Sequence, residues 1–381
     1  MAKETRPSVI LFLPSLAGGG AEQMMLRVAE GLSRHGLAVE LVVVSAKGRL
    51  LERVPDQVPV VDLGVSRPSR AVPALWRHLR RRRPDVLFAT LTQANLGAIW
   101  ATRLAGIGTR CVIREAANLS HTLAHEGALT RALLPWLVRW TYPRADTIVA
   151  LSEGVADDLS GIAGLARDSI DVIYNPLDAN SVEMLGRSPL EHPWFAPGSP
   201  PVVLAAGRLC VQKGFDVLLD AFAMVRRRYD ARLIILGDGE LRGALCRQVS
   251  RLGLGRVVQM PGFVSNPFSY MSRAAVFAFP SRWEGLGNSL LEAMACGIPI
   301  AAADCPSGPS EVLEGGRYGR LVPVGDIAAW AQVLEDGLEG RIAPPPVHAL
   351  QRFNPHLVME QLIDLLLPVP AENSTAQEKP N

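Results

Sequence analysis

The sequence predicts an α/β protein of two domains, each built on a parallel sheet. Three observations carry this. At 381 residues the chain exceeds one ordinary domain. Short apolar runs alternate with helix-length stretches, and the alternation runs twice through the chain. Between the two sets lies a stretch holding Pro176, Pro189, Pro193, Pro197, Pro200 and Pro201, too rich in proline for a continuing helix or central strand. The expected division is residues 1–180 as the first domain, 181–200 as a linker, 201–368 as the second domain with a terminal helix, and 369–381 as a flexible tail.

The first set opens with the apolar run Val9–Leu13, read as a buried strand, then the glycines Gly18, Gly19 and Gly20, then a helical pattern over Ala21–Leu32. Further strands are expected at Val39–Val44, Val86–Ala89, Cys111–Ile113 and Thr147–Ala150. The second set repeats the pattern with strands at Val202–Ala205, Leu233–Leu236, Val257–Met260, Val276–Ala278 and Ile300–Ala302. Helices are expected at Phe215–Arg226, Leu241–Leu252 and Ser289–Ala295. Two Rossmann-like halves follow.

Composition narrows the function. A hydrophobic fraction of 48 %, a charged fraction of 20 % and a mean hydropathy of +0.17 exclude a disordered chain. A net charge of +2, from 39 basic against 37 acidic residues, excludes a protein relying on a uniform positive field, so no nucleic-acid partner is expected. Cys111, Cys210, Cys246, Cys296 and Cys305 are scattered and odd in number, which suggests neither a disulfide framework nor a metal site and fits a reducing cytosol. No secretory signal pattern precedes Val9, and no run approaches the ~18 apolar residues of a spanning helix. A cytoplasmic chain is expected, with any membrane contact peripheral.

In doubly wound sheets the chemistry gathers at the carboxyl ends of the strands. Ser15–Glu22, with its three glycines, lets a ligand approach the backbone and ends in helix amides that suit a phosphate, although it matches neither a P-loop nor the full dinucleotide fingerprint. A turn made tight for packing would read the same. Gly207-Arg208-Leu209-Cys210-Val211-Gln212-Lys213-Gly214 follows a strand directly, and Arg208 with Lys213 could converge on an anion. Of 39 basic residues only Lys3, Lys47, Lys213 and Lys379 are lysine, so Lys213 stands alone in the interior of an arginine-rich chain. Ser281–Met294 places Glu284 in a glycine loop and Glu292 about one turn into a helix that Asn288 or Ser289 can cap. Amides free from Asn288 to Leu290 would suit phosphate there. Two carboxylates could then face one cleft as acceptors for sugar hydroxyls, or Glu292 could simply complement its helix dipole.

These motifs together resemble a known family. The Glu284/Glu292 pair, the segment Gly207–Gly214, the turn Leu236-Gly237-Asp238-Gly239-Glu240-Leu241 and the Gly18–Glu22 loop look like the retaining GT-B glycosyltransferases of family four. The likeness spans roughly Val9–Asp326 and includes Leu151–Gly154 and Ile173–Pro176. Asp304–Glu311 further resembles the branch that builds bacterial polysaccharides or lipid-linked oligosaccharides.

That resemblance implies two Rossmann-like domains facing each other across a cleft, with a nucleotide-sugar donor, UDP-sugar by the branch, and a lipid-linked or glycan acceptor. It implies that Arg208 and Lys213 hold the diphosphate and that Glu284 meets donor sugar hydroxyls, these three being the catalytic candidates. Glu292 would bind the ribose, with Gly19, Gly20, Gly207, Gly237, Asp238, Gly287, Asn288, Ser289 and Leu290 lining the donor. No cofactor and no metal is implied, since fixed cations and amides stabilise the leaving group. Many members carry a histidine at the end of a first-domain strand; here that segment reads Cys111-Val112-Ile113-Arg114-Glu115, with His121 and His125 only further on. Arg114 and Glu115 are the acceptor-side candidates, and an ordinary ion pair accounts for either equally well.

Two basic stretches suggest an anionic membrane surface as partner: Arg80, Arg81, Arg82 and Arg83 in succession, and Arg131–Trp140 with Trp136, Arg139 and Trp140. The alternatives are a helix end complementing its dipole and a helix buried between domains. Three other functions share parts of the pattern. A UDP-sugar epimerase of the same architecture would need no acceptor. A phosphorylase-like enzyme would need a pyridoxal lysine, for which only Lys213 is placed. A noncatalytic sugar-nucleotide-binding protein would bind without turnover.

Overall fold

The structure, a computed structural model, describes residues 6–65 and 68–368. The tail expected at 369–381 lies outside the described residues. Two parallel sheets organise the chain. The first contains β1 (Ser8–Leu13), β2 (Ala38–Val43), β3 (Val60–Asp62), β4 (Val86–Thr90), β5 (Arg110–Glu115), β6 (Thr147–Ala150) and β7 (Ile170–Val172), in the order β3-β2-β1-β4-β5-β6-β7. The second contains β8 (Val202–Ala206), β9 (Arg232–Leu236), β10 (Val258–Gly262), β11 (Val276–Phe279), β12 (Ile300–Ala303) and β13 (Arg320–Val322), in the order β10-β9-β8-β11-β12-β13. Both show the doubly wound reversal beside their first strand, which opens a crevice at the carboxyl ends.

Helices in the first half are α1 (Gly20–Arg34), α2 (Pro68–Arg82), α3 (Thr92–Ala105), α4 (Leu119–Ala124), α5 (Ala128–Thr141), α6 (Glu153–Ala163) and α7 (Ala179–Gly186). Those in the second are α8 (Phe215–Val225), α9 (Arg242–Arg251), α10 (Phe268–Met271), α11 (Asn288–Ala295), α12 (Pro309–Val312), α13 (Ile327–Leu338) and α14 (Pro355–Leu366). Central strands such as β4 and β12 are buried along their whole length, as parallel strands covered on both faces must be. The second sheet has a core on each face: Phe222, Trp330 and Leu334 belong to one, Phe277, Leu290 and Phe353 to the other.

By compactness the chain divides into two units. One holds the residues up to Arg114, Thr141–Val149 and those from His356 onward, and the other Glu115–Trp140 and Ala150–Pro355. Residues 115–140 and 150–180, which the sequence places with the first domain, therefore pack in the second unit. The terminal helix α14, expected with the second domain, packs in the first. The reason is local: Gly31 of α1 leaves room for Met359, whose Sδ would lie 2.9 Å from any Cβ there.

Two further expectations are corrected. The proline-rich stretch contains the helix α7, because no proline falls between Pro176 and Pro189 and Asp178 caps it by accepting from the Ser181 amide at 3.0 Å. The strand expected at Val257–Met260 runs instead to Gly262. Its register shifts between Gln259 and Gly262, a shift that an edge position tolerates along with Pro261.

Candidate functional site

The loops leaving β8, β9, β11 and β12 gather most of the residues singled out in the second half. Those after β8 and β9 are knitted together through their backbones: the Gly207 amide donates to Leu236 O at 2.9 Å, the Leu209 amide to Asp238 O at 3.0 Å and the Leu241 amide to Leu209 O at 2.9 Å. This contact requires glycine. Gly237 has φ +122°, and a Cβ on it would collide with the Gly207 carbonyl. Asp238 is exposed; it accepts from the Gly239 amide at 2.9 Å and faces Arg242 at 3.6 Å. Arg208 is exposed, and no protein group pairs with it among the described residues.

Lys213 ends a short 3-10 turn, Val211–Lys213, packed against the loop after β11. Gly214, at φ +63°, sits so close to the Pro280 carbonyl that a Cβ would clash with it. Arg282 ties the two loops further. Its amide donates to Gln212 O at 2.7 Å, and its guanidinium reaches both carboxylate oxygens of Asp216 at 2.9 and 2.7 Å.

Burial alone would raise the Asp216 pKa, but the hydrogen bonds and charge of Arg282 hold it below the usual range. Because the folded pKa is depressed, this contribution is complete above the unfolded value near 4 and disappears as pH falls through the folded one. Asp216→Asn is therefore expected to lower the melting temperature at pH 7. Its gap to the wild type should narrow in melts as pH falls below about 4; a gap that stays constant as the pH is lowered further would remove the pair from the acid response.

Glu284 is buried and held from three sides. Lys213 Nζ pairs with Oε1, Ser281 Oγ donates to the same oxygen at 2.6 Å, and Gln212 Nε2 lies 3.5 Å from Oε2. Lys213 Nζ also lies 5.3 Å from the Phe279 ring centroid. The lone interior lysine and the glycine-loop glutamate, 71 residues apart, are thus one ion pair.

Against expectation, the helix carrying Glu292 is capped by neither Asn288 nor Ser289. Gly287, at φ +96°, takes the N-cap position with no side-chain bond, because the following side chains are engaged elsewhere. Asn288 Oδ1 accepts from Asn175 at 2.6 Å, and Ser289 Oγ donates to Ala206 O at 3.3 Å. Nor is the Leu290 amide free. It donates to Gly287 O at 2.9 Å, which leaves the amides of Asn288 and Ser289 as the ones bonded to no backbone carbonyl among the described residues. Glu292, half-buried one turn on, helps push the Cys296 thiol up to about 12, after burial as the larger cause.

The motifs at 151–154, 173–176 and 304–311 prove to be braces for this loop. Ser152 caps α6 by accepting from the Val155 amide, and its hydroxyl donates to Gly285 O at 2.6 Å. Gly308, at φ +89°, lies where a Cβ would sit 2.5 Å from Leu286 O, and Asn118 donates to Ser307 at 3.0 Å. Glu311 accepts from Tyr174 at 2.7 Å and from the Glu153 amide at 3.0 Å. Burial and that carboxylate together drive the Tyr174 pKa upward.

The remaining candidates are placed separately. Gly19 caps α1 with extended backbone, and Gly19 and Gly20 are exposed. Arg114 and Glu115 end β5 and are both 1 % exposed, so their side chains are enclosed in protein. A feature missed in the sequence is the aromatic stack around Trp283. His125 lies 4.2 Å from its ring centroid at 22° and His121 lies 6.5 Å away, which brings both histidines to the ring of the residue that precedes Glu284 in the chain. Neither spacing nor composition signals a contact across that separation.

The basic stretches differ from each other. Arg82 pairs with Glu40 at 2.9 Å, where His78 also binds at 2.8 Å, and Arg80 lies 5.6 Å from the Trp76 ring. The second stretch is helix α5, and it is not buried between domains: Trp136 is 61 % and Trp140 47 % exposed. No cluster of three metal-ligating side chains occurs among the described residues, and no described helix is long and apolar enough to cross a membrane.

Comparison with known proteins locates the chain. Residues 19–176 match the family described as glycosyl transferase 4-like domain, and residues 200–339 match glycosyl transferases group 1. Over 340 residues the chain is 29 % identical to the N-acetylgalactosamine-N,N'-diacetylbacillosaminyl-diphospho-undecaprenol 4-alpha-N-acetylgalactosaminyltransferase of Campylobacter jejuni, covering 86 % of this chain and 89 % of that one. It is 28 % identical to the lipopolysaccharide core biosynthesis glycosyltransferase LpsE of Rhizobium meliloti, over 83 % and 85 % of the two chains. Among solved structures, Anabaena HepE in complex with UDP-glucose superposes with a TM-score of 0.78 at 21 % identity, over 94 % of this chain and 99 % of that one. Its likeness shows the shared GT-B fold.

Proposed function

The chain is a glycosyltransferase of the GT-B fold, a 4-like domain followed by a group 1 domain, and from that premise we propose that it moves a sugar from UDP-sugar to a lipid-linked or polysaccharide acceptor with retention of configuration. One observation carries the reading. The loops at the carboxyl ends of β8, β9 and β11 of one doubly wound sheet carry an arginine paired with no described protein group, a lysine–glutamate pair and two helix amides bonded to no backbone carbonyl among the described residues.

In this reading the diphosphate meets the guanidinium of Arg208, the ammonium of Lys213 and the amides of Asn288 and Ser289, with the Gly207–Gly237 contact letting it approach the backbone. Glu284 Oε1 is committed to Lys213 and Ser281, so Oε2 is the edge that accepts from a donor sugar hydroxyl. Glu292 accepts from the ribose. Asp238 completes the donor contacts, whereas Arg114 and Glu115, enclosed in protein, are left without a role on the acceptor side.

The bond from the anomeric carbon to the diphosphate oxygen breaks as the acceptor oxygen attacks from the same face. The acceptor proton passes to the departing phosphate, and the positive charge of Arg208 and Lys213 stabilises the leaving group without a metal ion. The reaction takes place on the cytoplasmic side of the membrane that holds the acceptor lipid. The branch likeness of Asp304–Glu311 and the relatives that act on diphospho-undecaprenol and lipopolysaccharide substrates support this acceptor class.

The test is calorimetric titration with UDP and GDP, followed by transfer assays with the UDP-sugars that compete. Micromolar UDP binding, and transfer that survives EDTA, are expected. Preference for GDP would redirect the donor, conversion of the sugar without acceptor would indicate an epimerase, and binding without transfer or hydrolysis would indicate a noncatalytic relative.

A further inference from the structure

Helix α5 has its apolar side turned outward. Leu129, Leu133, Trp136 and Trp140 recur at i, i+4, i+7 and i+11, the spacing of one helical stripe. In a water-soluble setting such a stripe faces the core. Here the four are 73, 49, 61 and 47 % exposed, Leu137 beside them is also exposed, and it is Val138 that packs inward. The two indoles stack on each other at 6.0 Å, so they form one continuous apolar ridge.

The polar residues of the helix say what covers that ridge. Ala128–Thr141 contains Arg131 and Arg139, both exposed, and no aspartate or glutamate. A second protein surface would be matched by a polar rim of both signs, whereas a basic flank beside exposed tryptophans complements an anionic lipid surface. At 14 residues the helix is too short to span a bilayer but fits one lying in the interface.

We propose that α5 is the membrane-docking element of this protein, its Leu129–Trp140 ridge lying in the headgroup boundary of an anionic leaflet with Arg131 and Arg139 on the phosphates. The helix begins three residues after His125, which stacks on Trp283 beside Glu284. A lipid-anchored acceptor is thereby held near the donor loop; this last step rests on the proposed transferase reading, the docking itself does not.

The full-length protein is to be floated with vesicles of phosphatidylcholine alone and with 30 % phosphatidylglycerol, beside Trp136→Ala/Trp140→Ala and Arg131→Gln/Arg139→Gln. All four side chains are exposed, so both variants should melt like the wild type. The wild type is expected to bind the anionic vesicles. The tryptophan variant should bind at least about tenfold more weakly, as loss of two indoles from an apolar boundary implies. The arginine variant should lose the preference for phosphatidylglycerol yet keep salt-resistant residual binding. Equal flotation of wild type and the tryptophan variant, or a wild-type dimer that the tryptophan variant dissolves with no vesicle binding, would overturn the proposal. UDP titration of the same samples separates the two readings: nucleotide binding without flotation removes only the docking face, and flotation without nucleotide binding removes only the donor site.

Discussion

Lys213→Ala is expected to reduce transfer by about 100- to 1,000-fold and to weaken UDP binding by about ten- to a hundredfold, the scale of losing one charged donor to a developing phosphate charge. The same variant should also be less stable. Glu284 is buried to 7 % side-chain exposure, and its Oε1 keeps only Ser281 once the ammonium is gone. Leaving a buried carboxylate without its cation costs about 3 kcal/mol. Glu284→Gln should retain more of the stability than Lys213→Ala, because a neutral amide needs no counter-charge, yet it too should lose transfer through the altered sugar contact. The double variant Lys213→Ala/Glu284→Ala should be more stable than the sum of the single variants predicts. Near-normal turnover with either single variant would take that residue out of the mechanism. Strict additivity in thermal melts would show that the pair is not coupled.

The second large effect is expected at Gly237→Ala. A Cβ there runs into the Gly207 carbonyl, and the backbone at φ +122° is one that residues with a side chain rarely adopt. Both penalties act at the seam where the loops after β8 and β9 meet, so the loop bearing Arg208 must move away from the one bearing Asp238. UDP affinity should fall at least tenfold, with several kcal/mol of stability lost. Gly253→Ala is the control: its φ is +69°, but nothing lies within 4 Å of the added carbon. It should cost about 1 kcal/mol of backbone strain and leave nucleotide binding unchanged. Equal UDP affinity for wild type and Gly237→Ala would show that the seam does not shape the donor site.

Much of the fold is legible in the chain. The apolar runs that mark β1, β4, β8 and β9 are buried on both faces, and such strands leave an unbroken hydrophobic signature that no turn interrupts. The glycine loops were likewise readable as loops, because glycine at a strand end followed by a helical period has few other uses. Boundaries at the edge were less so. At β10 the observed strand includes Pro261, and α7 forms in a stretch whose overall proline content argued against it.

The candidate site divides along the same line. Residue types and order alone singled out the candidates: Arg208 and Lys213 within one loop, Glu284 and Glu292 eight residues apart, and a lysine conspicuous among arginines. Tertiary structure alone decided how they are paired and placed. It paired Lys213 with Glu284, gave the N-cap of α11 to Gly287 because Asn288 and Ser289 were bound to Asn175 and Ala206, and set His125 on Trp283. It also turned the ridge of α5 outward, where the sequence allowed burial equally well. The reason is one of range. Periodicity and turn chemistry are properties of neighbours along the chain and can be read from it, whereas a hydrogen bond or ring contact across 71 or more residues depends on where two separately wound loops come to rest.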